Sequence, residues 1–142
     1  MKTLGRTVSL ALMAVLLAAL CLQAFVKSKE LSARSEARDR ALLEAQNAAE
    51  ALKSGDGVYF YTMSAVVDSS GGYWIDYSED WEPIYCSECS VGETPPAAYY
   101  LITSYKDSGL DALWTAEVSV YTERGDLLVS LPVAGQNEGE AR

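Results

Sequence analysis

From Thr3 to Gly57 the chain runs for more than fifty positions without proline, and glycine appears only at the two ends, as Gly5, Gly55 and Gly57. Proline would remove a helix hydrogen bond and interior glycine would raise the cost of ordering, so nothing in this stretch interrupts a helix. Within it, "VSLALMAVLLAALCLQAFV", Val8 to Val26, is 19 residues with only Ser9, Cys21 and Gln23 as polar or semi-polar interruptions. At about 1.5 Å of rise per residue such a helix extends about 28 Å, close to the hydrocarbon thickness of a bilayer. The sequence therefore predicts a membrane-spanning or otherwise apolar half of a helix over 7–26.

The rival reading of this segment is a cleaved signal peptide, with Lys2 and Arg6 as its basic flank and Leu22-Gln23-Ala24 as its exit. The apolar run exceeds the ~7 to 15 residues of such a signal, and no small-x-small exit follows it. Leu20 also spoils a lipoprotein site at Cys21. A retained single-pass segment is the expectation. Its orientation follows from opposing signals. Lys27, Lys29, Arg34, Arg38 and Arg40 outnumber Lys2 and Arg6, which by charge alone places the N-terminus outside. Against this, Glu30, Glu36 and Asp39 dilute the basic cluster, an N-terminal apolar run serves as an export signal, and the remainder is strongly acidic. The expectation is a cell-membrane protein with its N-terminus inside and its C-terminal domain extracytoplasmic.

Beyond Val26 the apolar run stops, yet Ala, Leu, Glu, Lys and Arg continue with no β-branched residue through Lys53, so the helix has no local reason to end. Leu31, Ala41, Leu42, Ala45, Ala48, Ala49 and Leu52 recur at helical spacings and form one stripe, with Arg38, Arg40, Glu44 and Glu50 mostly elsewhere. Gly55 stands where a left-handed cap is wanted. A helix from Thr7 to Lys53 would be about 70 Å long. A coiled-coil seam wants large residues at its core positions, whereas this stripe is largely alanine. Alanine suits a flat surface, so the amphipathic half, 27–55, is expected to lie on a sheet.

Residues 56–134 supply that sheet. In "WTAEVSVY" Trp114, Ala116, Val118 and Val120 alternate with Thr115, Glu117 and Ser119, and in "LLVSLPV" Leu127, Val129, Leu131 and Val133 share a face. Both alternations read as half-buried strands. Gly125 in the "TERGD" between them suits a hairpin with a glycine bulge, and Pro132 marks an edge. A tyrosine-rich strand after Gly57, "YYLITSY" (99–105), and a "GGYWIDY" to "WEPI" hairpin turning at Ser78 to Asp80 complete the set. The predicted class is α+β: a long N-terminal helix packed by its second half on an antiparallel sheet of about four strands, followed by a disordered tail over 135–142.

Charge and composition exclude several functions. Residues 1–53 hold eight Lys/Arg against five Asp/Glu, and residues 54–142 hold three against fifteen. Such an acidic C-terminal part repels phosphate backbones, so no nucleic-acid partner is expected. The chain has no histidine, which removes the commonest general base and metal ligand; no catalytic residue, cofactor, metal or small-molecule substrate is expected. Cys86 and Cys89 form a CxxC followed by Gly92, Pro95 and Pro96, a loop context rather than the start of a redox helix. A local disulfide suits an extracytoplasmic location, with free thiols or metal chemistry as the alternatives. Asp76, Glu79, Asp80 and Glu82 match no calcium-loop spacing and read as a solvated hairpin tip. The aromatic residues Tyr59, Phe60, Tyr61, Tyr73, Trp74, Tyr77, Trp81, Tyr99, Tyr100 and Trp114 read as core and sheet-face material, some of it exposed and fit for a partner subunit.

A short basic leader, Met1-Lys2-Thr3-Leu4-Gly5, followed by "RTVSLALMAVLLAAL", resembles the N-terminus of type IV pilins and of the pseudopilins of type II secretion and competence systems, as does the helix-on-sheet plan. The resemblance implies a leader over 1–6 and a processing junction between Gly5 and Arg6. It also implies an assembly helix carrying Leu10, Leu12, Val15, Leu16 and Leu20, and partners that are the membrane, other pilin-like subunits or an assembly platform. Arg6 stands where the family usually has Phe, and Leu10 where it has Glu. The function implied is a minor pilin-like structural subunit; the alternative is a membrane-anchored extracytoplasmic binding or sensor module that does not polymerise.

Overall fold

The computed structural model describes residues 2–85 and 96–136. In chain order these form α1 (Lys2–Ser54), α2 (Gly57–Thr62), β1 (Val66–Val67), β2 (Tyr73–Tyr77), β3 (Tyr99–Lys106), β4 (Leu113–Thr122) and β5 (Leu127–Gln136). The chain divides into two units, Met1–Ala37 and Arg38–Arg142. The first unit is helical from Lys2 onward, leader-like residues included, and it has no buried residue among those described.

In the second unit α1 stops where the sequence places its cap. Gly55 adopts φ +66°, its N–H donates to the Leu52 carbonyl (3.3 Å), and the Asp56 N–H donates to the Ala51 carbonyl (3.0 Å). These paired bonds satisfy carbonyls that the helix end would otherwise orphan. The next segment is a correction. The tyrosine-rich strand expected after Gly57 is the helical turn α2, because the Asp56 carboxylate accepts the Val58 N–H (3.1 Å) and caps it.

The sheet is antiparallel with order β1-β2-β3-β4-β5, five strands rather than four. The addition is the two-residue β1, which pairs Val66 with Trp74 and Val67 with Tyr73. The "WEPI" arm forms a single bridge, Tyr77 to Pro83, rather than a strand. Pro132 does lie on an edge strand, and β5 runs to Gln136, two residues past the expected end of the domain. Three turns share one hydrogen-bond pattern: residues 68–72, 78–82 and 122–126 each exchange bonds between first and last residue, with the fourth residue donating back to the first. That fourth residue has positive φ each time: Gly71 (+82°), Trp81 (+63°) and Gly125 (+85°). Glycine adopts this conformation without strain, whereas a bulky side chain does not. Trp81 is held there by its ring, which stacks on Tyr99 with centroids 4.1 Å apart and planes 10° apart.

The core lies between one sheet face and the second half of α1. Ala41, Ala45, Ala48, Ala49, Ala51 and Leu52 form one buried cluster with Phe60, Ile75, Tyr77, Leu101, Ala116, Val118, Val120 and Val133. The alternation read in β4 holds, with Ala116, Val118 and Val120 buried. The stripe of α1 is shorter than expected. Leu31 and Leu42 are exposed, and the covered part begins at Ala41. Phe60 extends the cover by stacking on Tyr73 at 3.9 Å and 6°. Close approach explains two glycines. A Cβ on Gly72 would meet the Thr103 carbonyl oxygen at 2.2 Å, and one on Gly135 would meet the Trp114 ring at 2.3 Å.

Alanine at the centre of this contact sets the separation of helix and sheet. Ala45 is fully buried, so Ala45→Leu is expected to force the two apart and cost about 1–3 kcal/mol, while Leu42→Ala on the exposed side changes stability by less than about 0.5 kcal/mol. Denaturant unfolding of the full chain in detergent micelles, followed by tryptophan fluorescence, measures both.

Candidate interaction surfaces

Among the described residues no three His, Cys, Asp or Glu side chains stand together as a metal site would require; three other features have a defined geometry. The first is the apolar half of α1. Leu10 (69% exposed), Leu12 (60%), Val15 (67%), Leu16 (60%) and Leu20 (62%) are all uncovered. Over this part α1 is long and apolar enough to cross a membrane. The sequence from Val8 to Val26 is apolar around the whole circumference, so no face of it is suited to water. This is consistent with a single-pass membrane anchor. At the end of the apolar run the Lys29 ammonium lies over the Phe25 ring, 5.3 Å from its centroid, a cation–π contact. Cys21 is an exposed free thiol in the apolar run. Gly5 and Arg6, the candidate processing junction, lie within α1 and are exposed. Cys86 and Cys89, the candidate disulfide, lie outside the described residues.

The second surface is the sheet face turned away from the core. Register places Asp76, Tyr100, Tyr121 and Leu127 directly across from one another on β2, β3, β4 and β5. Trp74, Ile102, Ser119 and Ser130 form the next row. Trp74 stacks on Tyr100 at 5.0 Å and 9°, and Tyr100 on Tyr121 at 5.3 Å and 19°. The Trp74 indole N–H donates to Asp76 Oδ1 (2.7 Å), which fixes the first ring. Trp74 remains 40% exposed. The rings stack on one another across the strands, and the Tyr100 hydroxyl reaches toward Gly125 of the 122–126 turn. Tyr121 was not among the aromatics singled out from the sequence. Its signal was the alternation of "WTAEVSVY", which puts it on the Thr115, Glu117 and Ser119 face. Further along that face Lys106 pairs with Glu117, which also accepts from the Ser130 hydroxyl; these two bonds hold the Glu117 carboxyl below its ordinary value.

The third feature is polar and lies at the helix–sheet contact. Glu44, expected away from the stripe, is half-buried and accepts from the Tyr77 hydroxyl (3.4 Å). Burial raises the Glu44 carboxyl above its ordinary value, opposed by the Tyr77 bond and the Arg40 charge. Tyr77 is raised in turn, by burial first and then by its neighbours Tyr59 and Glu44. The Tyr59 phenol is pushed up to about 12 by burial and by the Glu44 charge. A spacing argument could not find this cluster, because Glu44 is drawn in by a hydroxyl 33 residues away in sequence.

The raised Glu44 carboxyl has a signed consequence. The folded state binds this proton more tightly than the unfolded chain, so the stabilisation is present below the ordinary value of 4.5 and lost as pH rises through the raised folded value. Glu44→Gln should therefore gain stability relative to the parent as pH rises above about 4.5, read as the difference between two thermal-melting curves; a difference independent of pH would contradict it. Searches of family models, curated proteins and solved structures find no match to this chain.

Proposed function

We propose that the chain is a minor pilin-like structural subunit, held in the membrane by α1 with its N-terminus inside and its sheet extracytoplasmic, and assembled through the apolar half of that helix. The observation that carries this reading is the division of one helix between two kinds of partner. Ala41, Ala45, Ala48, Ala49, Ala51 and Leu52 are buried in the chain's own core, whereas Leu10, Leu12, Val15, Leu16 and Leu20 are apolar and exposed. A segment of that composition is stable in lipid, and it is equally suited to pack against copies of itself when lipid is withdrawn. The leader-like Met1 to Gly5 and the helix-on-sheet plan resemble the pilin family at the level of architecture.

Leu10 bears on the role within an assembly. A carboxylate at that position would be expensive in the bilayer but could set register between neighbours. Leucine makes entry cheap and gives up the register contact, which suits an accessory or initiating subunit better than a repeated one. A second reading, a membrane-anchored binding or sensor module that never polymerises, is favoured by the uncovered aromatic face and by Arg6 and Leu10. It expects a monomer in the membrane.

Photoreactive residues at Leu12 and Leu20 in cells assembling a filament distinguish these readings. Assembly predicts a ladder of multimers, and N-terminal sequencing of processed chains should begin at Arg6. Monomer alone at both positions would leave the sensor reading standing.

A further inference from the structure

Two uncovered surfaces of this chain have matching chemistry. Lys27, Leu31, Arg34 and Arg38 recur at intervals of four, three and four residues and so share one face of α1. All four are exposed, and Glu30, Glu36 and Asp39 stand at none of the stripe positions. The salt bridge found among the described residues is Lys106–Glu117, and it involves none of these cations.

The outer sheet face offers the complement. Its row of Asp76, Tyr100, Tyr121 and Leu127 runs across four strands, a span of about 14 Å at the usual strand spacing. The stripe from Lys27 to Arg38 rises about 16 Å along α1. The same end of the sheet carries the turns 78–82 and 122–126, whose exposed residues include Glu79, Asp80, Glu82, Glu123 and Asp126 against one cation, Arg124. Stacking occupies the facing ring surfaces within the aromatic row, and Trp74 at its end is 40% exposed. That relief suits a leucine flanked by the aliphatic stems of arginine better than a planar ligand.

We propose that a second copy of this chain occupies the outer sheet face with its Lys27–Arg38 stripe, Leu31 against the aromatic row and the cations toward the acidic turns. The giving and receiving surfaces differ, so each copy can do both, and the contact is heterologous and joins copies head to tail. It rests on the assembly reading and adds a charged contact outside the membrane to the apolar one within it. Because the partners are solvent-exposed charges, the contact weakens as salt rises.

The test uses the full chain in membranes, with a photoreactive phenylalanine analogue placed separately at Ile102, on the outer face, and at Leu16, in the apolar helix. The Ile102 adduct is expected to join two copies and to map to residues 27–38. It should be lost in Arg34→Glu/Arg38→Glu and regained when Glu79→Lys and Glu123→Lys are added, with the Leu16 adduct present throughout as evidence of folding and assembly. Multimers from Leu16 with none from Ile102 overturn the contact and leave assembly intact. An Ile102 adduct to a different protein overturns the second copy as the occupant. Unchanged Ile102 adducts in the double arginine variant, with weaker retention on anionic vesicles, assign the stripe to lipid headgroups and overturn the proposal. Monomer at both positions overturns the assembly reading and the contact with it.

Discussion

The alanine stripe of α1 is the contact on which the second unit depends. Ala41, Ala45 and Ala48 are fully buried, as are Ile75, Leu101, Val118 and Val120 on the sheet. A five-stranded sheet with one apolar face cannot leave that face in water, and a helix of good formers without an apolar partner gains little tertiary stability. Each element supplies what the other lacks. Small side chains allow the two to approach closely, and Leu52 and Phe60 join the same buried cluster.

The turns carry a second consistent device. Three five-residue turns use the same bonds and the same positive-φ position, and two of them place glycine there. The third places Trp81, which costs of the order of 1–2 kcal/mol in backbone conformation and is offset by stacking on Tyr99 and burial against the core. A strained residue at a hairpin tip persists when its surroundings over-determine it. Here the surroundings are aromatic, and the turn is pinned beside the acidic end of the outer face.

Much of this was legible in the sequence because it depends on periodicity. The cap of α1 at Gly55, the alternation in β4 and the glycine of the 122–126 turn follow from spacing alone, whereas α1 begins at Lys2 rather than Thr7, and the register shift at Val120/Tyr121 puts Leu127 on the outer face instead of beside Val129 and Val133. What was missed depends on contacts between distant residues. α2 forms because Asp56 caps a segment whose composition favours a strand, and β1 exists only by pairing with β2. Glu44 is polar and off the stripe, yet the Tyr77 hydroxyl draws it into the interface. Leu31 and Leu42 share the stripe's approximate phase but are exposed. The outer-face ladder was half visible: alternation assigned Tyr121 to a face, but stacking with Tyr100 across strands required the register.

The functional account follows from which surfaces are covered and which are left open. The sheet's inner face takes residues 41–52 of α1; residues 8–26 are apolar and open, and the outer sheet face is aromatic, acid-rimmed and open. The first of these surfaces is consistent with a membrane anchor, and in the assembly we propose copies would meet through both. The central claim is that the stripe and the sheet are one cooperative body, and hydrogen exchange of the full chain in lipid nanodiscs tests it most directly. The account predicts that the amides of 41–52 exchange as slowly as those of β3 and β4 and lose protection together with them on mild destabilisation, while residues 27–38 exchange faster. Fast exchange over 41–52 beside a protected sheet would show that the sheet stands without the helix and would contradict the account.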